Sequence, residues 1–228
     1  MVYDLPGPAD RARYSPARVD VPLVYPSTHP LVRHKLAALR DSATPPAAFR
    51  RLVRDLAALI AVEATADLPS KDMQVRTPMG LATCQVLADD VAIVPILRAG
   101  LGMAEGTLDL IPDAQVWHVG LFRDEATLRP TEYYNKLPLR CTATLALVLD
   151  PMLATGGSAV RTCQILRASG VARIKMLALI AAPEGIAAFA AELPDVPIHV
   201  GAIDARLNAV GFIDPGLGDA GDRQFNTH

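Results

Sequence analysis

From residue 91 onward, five short apolar runs recur without the polar alternation of a half-exposed strand: residues 91–97, 116–122, 143–149, 174–181 and 198–202. Runs this short with no polar face suit strands covered on both sides, as in a parallel sheet. The stretches between several of them read as helices, at about 101–110, 158–169 and 183–193. Gly170 stands where a helix needs a left-handed residue to stop, and Pro183 where a first turn tolerates a missing amide. This alternation predicts an α/β protein: an open, mostly parallel sheet flanked by helices. Any ligand should then lie beyond the carboxyl ends of the strands.

Upstream, the pattern differs. Pro6, Pro8, Pro16, Pro22, Pro26 and Pro30 forbid a continuous helix and favour an extended arm over residues 1–28, leaving a single domain over 29–228. A helix is expected at about 30–40. A second has Thr44 placed to cap it, Pro45 in its first turn, and a buried face of Phe49, Leu52, Val53, Leu56, Leu59 and Ile60. Residues 73–76 and 83–87, around Thr77-Pro78-Met79-Gly80, read as an edge hairpin.

The bulk properties narrow the class. A formal net charge of −2 argues against a whole-chain nucleic-acid binder. Cys84, Cys141 and Cys163 are scattered, with neither CxxC spacing nor neighbouring histidines, which points to a reducing compartment and away from a zinc site. No apolar run approaches the roughly 18 residues a membrane span needs, and the N-terminus has no secretory pattern. A cytoplasmic protein with no membrane partner is the expectation.

The densest chemistry lies at Leu145-Ala-Leu-Val-Leu149-Asp150-Pro151-Met152-Leu153-Ala154-Thr155-Gly156-Gly157-Ser158. An apolar strand ends in an acid, and a small-residue loop opens a helix. Gly156 and Gly157 let the backbone approach an anion, Thr155 and Ser158 add hydroxyl donors, and the helix-start amides point the same way. Such a loop can cradle a terminal phosphate, with Asp150 accepting from sugar hydroxyls. No lysine follows the glycines, so this is not a P-loop. Gly216-Leu-Gly218-Asp-Ala-Gly221 matches GxGxxG literally, but seven residues from the end it leaves no room for the helix of a dinucleotide fingerprint.

Asp150–Ser158 resembles the loop that binds 5-phosphoribosyl diphosphate (PRPP) in phosphoribosyltransferases, in the form of the uracil-specific family. Many other members carry two successive acids there; here Leu149 replaces the first. Val94-Pro-Ile-Leu-Arg98-Ala-Gly-Leu-Gly102, Ala181-Ala-Pro-Glu-Gly185, Gly216–Asp222, His29-Pro-Leu-Val32 and Glu63-Ala-Thr-Ala-Asp67 resemble the same family in order. Residues 67–91 match poorly. Phe212 and Asp214 stand where the family has tyrosine and an aliphatic residue, and Asp214 brings a charge beside the expected base pocket.

The resemblance implies the type I phosphoribosyltransferase fold with a flexible flap. It implies a pentosyltransferase of pyrimidine salvage that converts uracil and PRPP to UMP and pyrophosphate, with Mg²⁺ on the PRPP diphosphate. Arg98 and Arg123, the latter from the flap, would meet the pyrophosphate. Asp150, Pro151, Met152, Leu153, Ala154, Thr155, Gly156, Gly157 and Ser158 would hold the ribose 5-phosphate. Ile213, Gly218, Asp219 and Ala220 would read uracil, Asp219 also lying near PRPP. Arg98 and Asp219 are the candidate catalytic residues. By the same resemblance, homodimers or larger assemblies are expected; some members are activated by GTP, which this sequence leaves open. Composition alone fits residues 123–136 either to a hairpin that closes over substrates or to an ordinary exposed one. Two rivals stand beside this reading: an RNA-binding regulator on the same fold, which the near-neutral charge and the uracil-type loop count against, and a transferase for another base, which would need a different Gly216–Asp222 loop.

Overall fold

The unalternated runs fold into one sheet, because only a strand between two helical layers buries side chains on both faces. The computed structural model describes residues 23–123, 130–135, 137–138 and 141–227. In chain order the elements are β1 (Val24–Pro26), α1 (Pro30–Arg40), α2 (Pro46–Ala64), β2 (Ser70–Thr77), β3 (Gly80–Leu87), β4 (Val91–Leu97), α3 (Leu101–Leu108), β5 (Gln115–Val116) and β6 (Val119–Arg123). There follow β7 (Pro130–Asn135), β8 (Leu145–Leu149), β9 (Met152–Leu153), α4 (Gly157–Ala168), β10 (Arg173–Ala181), α5 (Pro183–Glu192), β11 (Ile198–Ile203), β12 (Arg206–Leu207), β13 (Ile213–Asp214) and α6 (Ala220–Phe225).

The main sheet runs β1-β11-β10-β8-β4-β6-β7, with β5 beside β4 and β9 beside β10. Its pairings are parallel except β6 with β7. Strand alternation divides the core. Leu145, Leu147 and Leu149 of β8 pack with Val32, Leu36, Phe49, Val53, Leu56 and Met103 from α1, α2 and α3. Ala146 and Val148 face Cys163 and Leu166 of α4 and Ile186 and Phe189 of α5.

Several local expectations need correction. Thr44 does not cap α2; its hydroxyl donates to Ala38 O at 2.6 Å and closes the turn after α1, while Pro45 takes the cap position and Pro46 the first turn. The expected strand at 116–122 is divided into β5 and β6 at Trp117–His118. Trp117 is buried, its amide donating to Ile93 O at 3.0 Å and its indole N–H to Gln115 Oε1 at 3.3 Å, and the pairing with β4 keeps one register across the break. Val24–Pro26, within the expected arm, pair with β11 as an edge strand. β2 and β3 form their own two-stranded sheet and leave Met73, Met79, Leu81 and Leu87 exposed.

The strand order decides where a ligand can sit. From β4 the chain crosses by α3 to β5 and β6 on one side; from β8 it crosses by α4 to β10 on the other. Adjacent connections therefore part between β4 and β8 and open a crevice at their carboxyl ends, the topological switch point of an open α/β sheet. Pro95 pairs with Leu149, so the residues following both strands emerge at that crevice.

Leu147 is fully buried in the central strand, and Leu147→Ala should destabilise the fold by about 2–5 kcal/mol in urea titrations. Met79→Ser, at a position 96% exposed on the hairpin, should change stability by less than about 0.5 kcal/mol.

Candidate active site

At the end of β8 the amide of Asp150 donates to Leu177 O at 3.2 Å, and Pro151 O accepts from Leu179 N at 3.1 Å and Ile180 N at 3.0 Å. Met152 and Leu153 rejoin the sheet as β9, with Pro151 and Leu153 buried. The open part of the loop is therefore Ala154, Thr155, Gly157 and Ser158, with Gly156 itself buried. Gly156 has a φ of +81°, and a methyl there would lie 2.8 Å from Gly185 O. Gly185 in turn packs on the carbonyls of Leu153 and Ala154, so the start of α5 forms the floor beneath the loop. No side chain caps α4, and its first-turn amides have no intrahelical acceptors, which makes them anion donors. Thr155 is exposed beside them and Ser158 is half-buried.

Asp150 stands between the sheet and this cradle, partly buried. Lost solvation pushes its carboxyl up to about 7; the Met152 amide, at 3.3 Å, acts against that shift, and the nearby Asp219 carboxylate adds to it. The two acids, one directly after β8 and the other in the C-terminal loop, thus lie near enough to interact.

Arg98 follows β4 on the other side of the switch point, with a cis peptide between Leu97 and Arg98. Its guanidinium is more than half exposed and lies 3.3 Å from Asp222. Gly100 lets the loop fold tightly over β8: a methyl there would come within 2.5 Å of Leu149 O. Arg123 is the last residue of β6, at the same end of the sheet, and its side chain lies outside the described residues, as do residues 124–129.

The C-terminal loop closes the crevice. Gly216 and Gly218 take left-handed φ values of +61° and +77°, and Asp219 caps α6 by accepting from Asp222 N at 2.9 Å. A six-residue helix thus begins inside the glycine motif, where the sequence reading left no room for a dinucleotide-type helix. Gly218 and Asp219 are exposed, whereas Ile213 and Ala220 are buried. Asp214 is paired with Arg206 across β12 and β13 at 3.0 Å, so its charge has a local counter-ion. Phe212 is exposed.

Sequence reasoning missed the residues that hold this loop. Fully buried Asp204 forms an ion pair with Arg40. Asp204 also accepts from Gly216 N at 2.9 Å, and Arg40 donates to Gly216 O at 2.7 Å. Arg223 stacks 4.3 Å above the Phe49 ring and donates to Leu39 O at 2.9 Å and Leu217 O at 2.8 Å. Arg50 donates to Gln224 O at 2.6 Å. The one available signal was Asp204 itself, an acid directly after an apolar strand.

The crevice therefore offers amide and hydroxyl donors for a phosphate, an acid for neutral hydroxyls, an arginine for a second anionic group, and exposed backbone at Gly218–Asp219 for a planar heterocycle. A site so furnished can hold a phosphorylated sugar beside a base. The uracil phosphoribosyltransferase family model matches residues 26–227. A uracil phosphoribosyltransferase of Roseiflexus sp. (strain RS-1) is 58% identical over 201 residues, covering 88% of this chain and 97% of that protein. One from Dictyoglomus turgidum is 53% identical over 200 residues, covering 87% and 97%. The solved AQ2163 protein of Aquifex aeolicus superposes with a TM-score of 0.86 at 36% identity, covering 90% of this chain and 98% of its own. The chain belongs to the uracil phosphoribosyltransferase family.

Two predictions follow from the site's charges. The Asp150 carboxyl is raised in the fold from its ordinary 3.8 to about 7, so burying it as a carboxylate weakens the fold increasingly between those pH values. Asp150→Asn should therefore gain melting temperature over wild type as pH rises from about 4, with the difference levelling off above about 7. Arg40→Ala leaves the buried Asp204 carboxylate without its cation and should cost about 3–5 kcal/mol in denaturant titrations.

Proposed function

We propose that the chain transfers the 5-phosphoribosyl group of PRPP to N1 of uracil, releasing pyrophosphate and forming UMP. The observation that carries this reading is the convergence at one switch point of the Asp150–Ser158 cradle, Arg98, and the Gly218–Asp219 backbone. The α4 amides, with Thr155 and Ser158, hold the 5-phosphate, and Asp150 accepts from the ribose hydroxyls. Arg98, joined by Arg123 from the flap, meets the diphosphate with a fixed fork of donors. Gly218, Asp219 and Ala220, backed by Ile213, present amides and carbonyls to the two carbonyls and the N–H of uracil.

The bond from the anomeric carbon to the diphosphate oxygen breaks, one to uracil N1 forms, and the N1 proton leaves. The chain's contribution is to position the reactants and to stabilise charge on the departing pyrophosphate. Asp219 keeps one carboxylate oxygen on Asp222 N, and the other is the candidate acceptor for the N1 proton.

The fit to Mg²⁺ is indirect. Among the described residues no three His, Cys, Asp or Glu side chains group around a metal-sized site. Asp150 and Asp219, however, are close enough to interact, and Mg²⁺ characteristically pairs one or two carboxylates with substrate phosphates. Carried on the PRPP diphosphate, it would neutralise charge on the leaving group. The β2–β3 hairpin, with its exposed methionines and leucines, supports a homo-oligomer in which a second copy covers it. The reading places the reaction in cytoplasmic pyrimidine salvage.

Pyrophosphate release from PRPP and Mg²⁺ should occur with uracil and not with cytosine, hypoxanthine or orotate, each assay run with and without GTP. Release with another base, or with none under either condition, would overturn the reading. Arg98→Ala should lower kcat/KM by about 10²–10³-fold. Asp219→Asn, which still caps α6, should lower kcat by about 10²-fold or more, and unchanged turnover would remove it from proton transfer.

A further inference from the structure

We propose that Gln224 is a positioning residue whose buried carboxamide couples the arginine loop to the base-reading loop, so that occupancy of one sets the other. This rests on the assignment of PRPP to the first loop and uracil to the second. Gln224 is fully buried in α6. Its Nε2 donates to Ala99 O at 2.9 Å and to Ala220 O at 3.0 Å. Ala99 directly follows Arg98, and Ala220 directly follows Asp219. A single –NH₂ group thus bonds the backbone next to both candidate catalytic residues.

The orientation of the amide follows from these partners. Both are carbonyl acceptors, so only the nitrogen end can face them; reversal would set an oxygen against two oxygens. The cost falls on the other end. Gln224 Oε1 is buried with no hydrogen-bond partner among the described residues. It lies against the Cα of Gly102, where an added methyl would overlap it. An orphaned buried acceptor is unfavourable, and an apolar side chain of similar volume would avoid it. The carboxamide's return for that cost is the pair of bonds across the two loops. The Arg98–Asp222 pair also joins the loops, but it is solvent-exposed on the arginine side and correspondingly weak.

Initial rates over a grid of PRPP and uracil concentrations give an interaction factor, the ratio of the apparent KM for PRPP at limiting and at saturating uracil. The wild-type factor should differ from one by roughly five- to a hundredfold. Gln224→Met keeps the volume but removes both donors and should move the factor toward one, beyond any change in kcat. Gly102→Ala displaces the amide by another route and should do the same; the double variant should add little to either single one. Should Gln224→Met fail to fold by its melting curve, Gly102→Ala carries the test alone. A wild-type factor of one, or variants that keep the wild-type factor, would overturn the coupling. Absence of wild-type turnover with uracil would instead overturn the substrate assignment and this inference with it.

Discussion

Side chains on the central strands are buried on both faces of the sheet, so none of them can reach a ligand, and chemistry is confined to the strand ends. This constraint governs the rest of the molecule. β8 and β4 carry uninterrupted apolar residues until they leave the sheet, and the first polar residues after them are Asp150 and Arg98. Because the chain departs from these two strands in opposite directions, their ends are left uncovered side by side. A glycine-rich loop with uncapped helix-start amides on one and a guanidinium on the other then lie across a single crevice.

The third wall comes from the far end of the chain, and its placement is a problem in electrostatics. The Gly216–Asp222 loop has two left-handed glycines and only a short helix, so little within it fixes its position. Arg40 and buried Asp204 clasp both backbone groups of Gly216, while Arg50, Arg223 and Gln224 hold α6 to α2 and to the arginine loop. Buried ion pairs contribute little net stability compared with an apolar core, but losing one partner is costly. Here the ionic groups act as locators, tying a loop of weak intrinsic preference to helices whose own positions are set by apolar packing.

What was legible in the sequence follows the same division. The central strands and their helices were readable because burial on both faces leaves an unalternated run, and Gly170 and Pro183 mark helix ends by their own backbone chemistry. The glycine loop that joins β8 to α4 was readable because its residues are contiguous. The locators were not: Arg40 lies 164 residues from Asp204 and Ala99 lies 125 from Gln224, so no local pattern could pair them. Thr44 misled for a related reason. Its hydroxyl serves the preceding turn, a choice set by how α1 and α2 meet and not by the cap position. Asp214, one of two nearby departures from the family pattern, was found paired only when β12 brought Arg206 alongside.

The account's central claim is that a phosphate-holding half and a base-reading half meet where β4 and β8 part. A crystal structure with UMP bound tests it most directly. The account predicts the phosphate on the α4 amides beside Thr155 and Ser158, the ribose hydroxyls on Asp150, and the uracil ring against the Gly218–Ala220 backbone. UMP bound away from this crevice, or with its base and phosphate exchanged between the two halves, would contradict it.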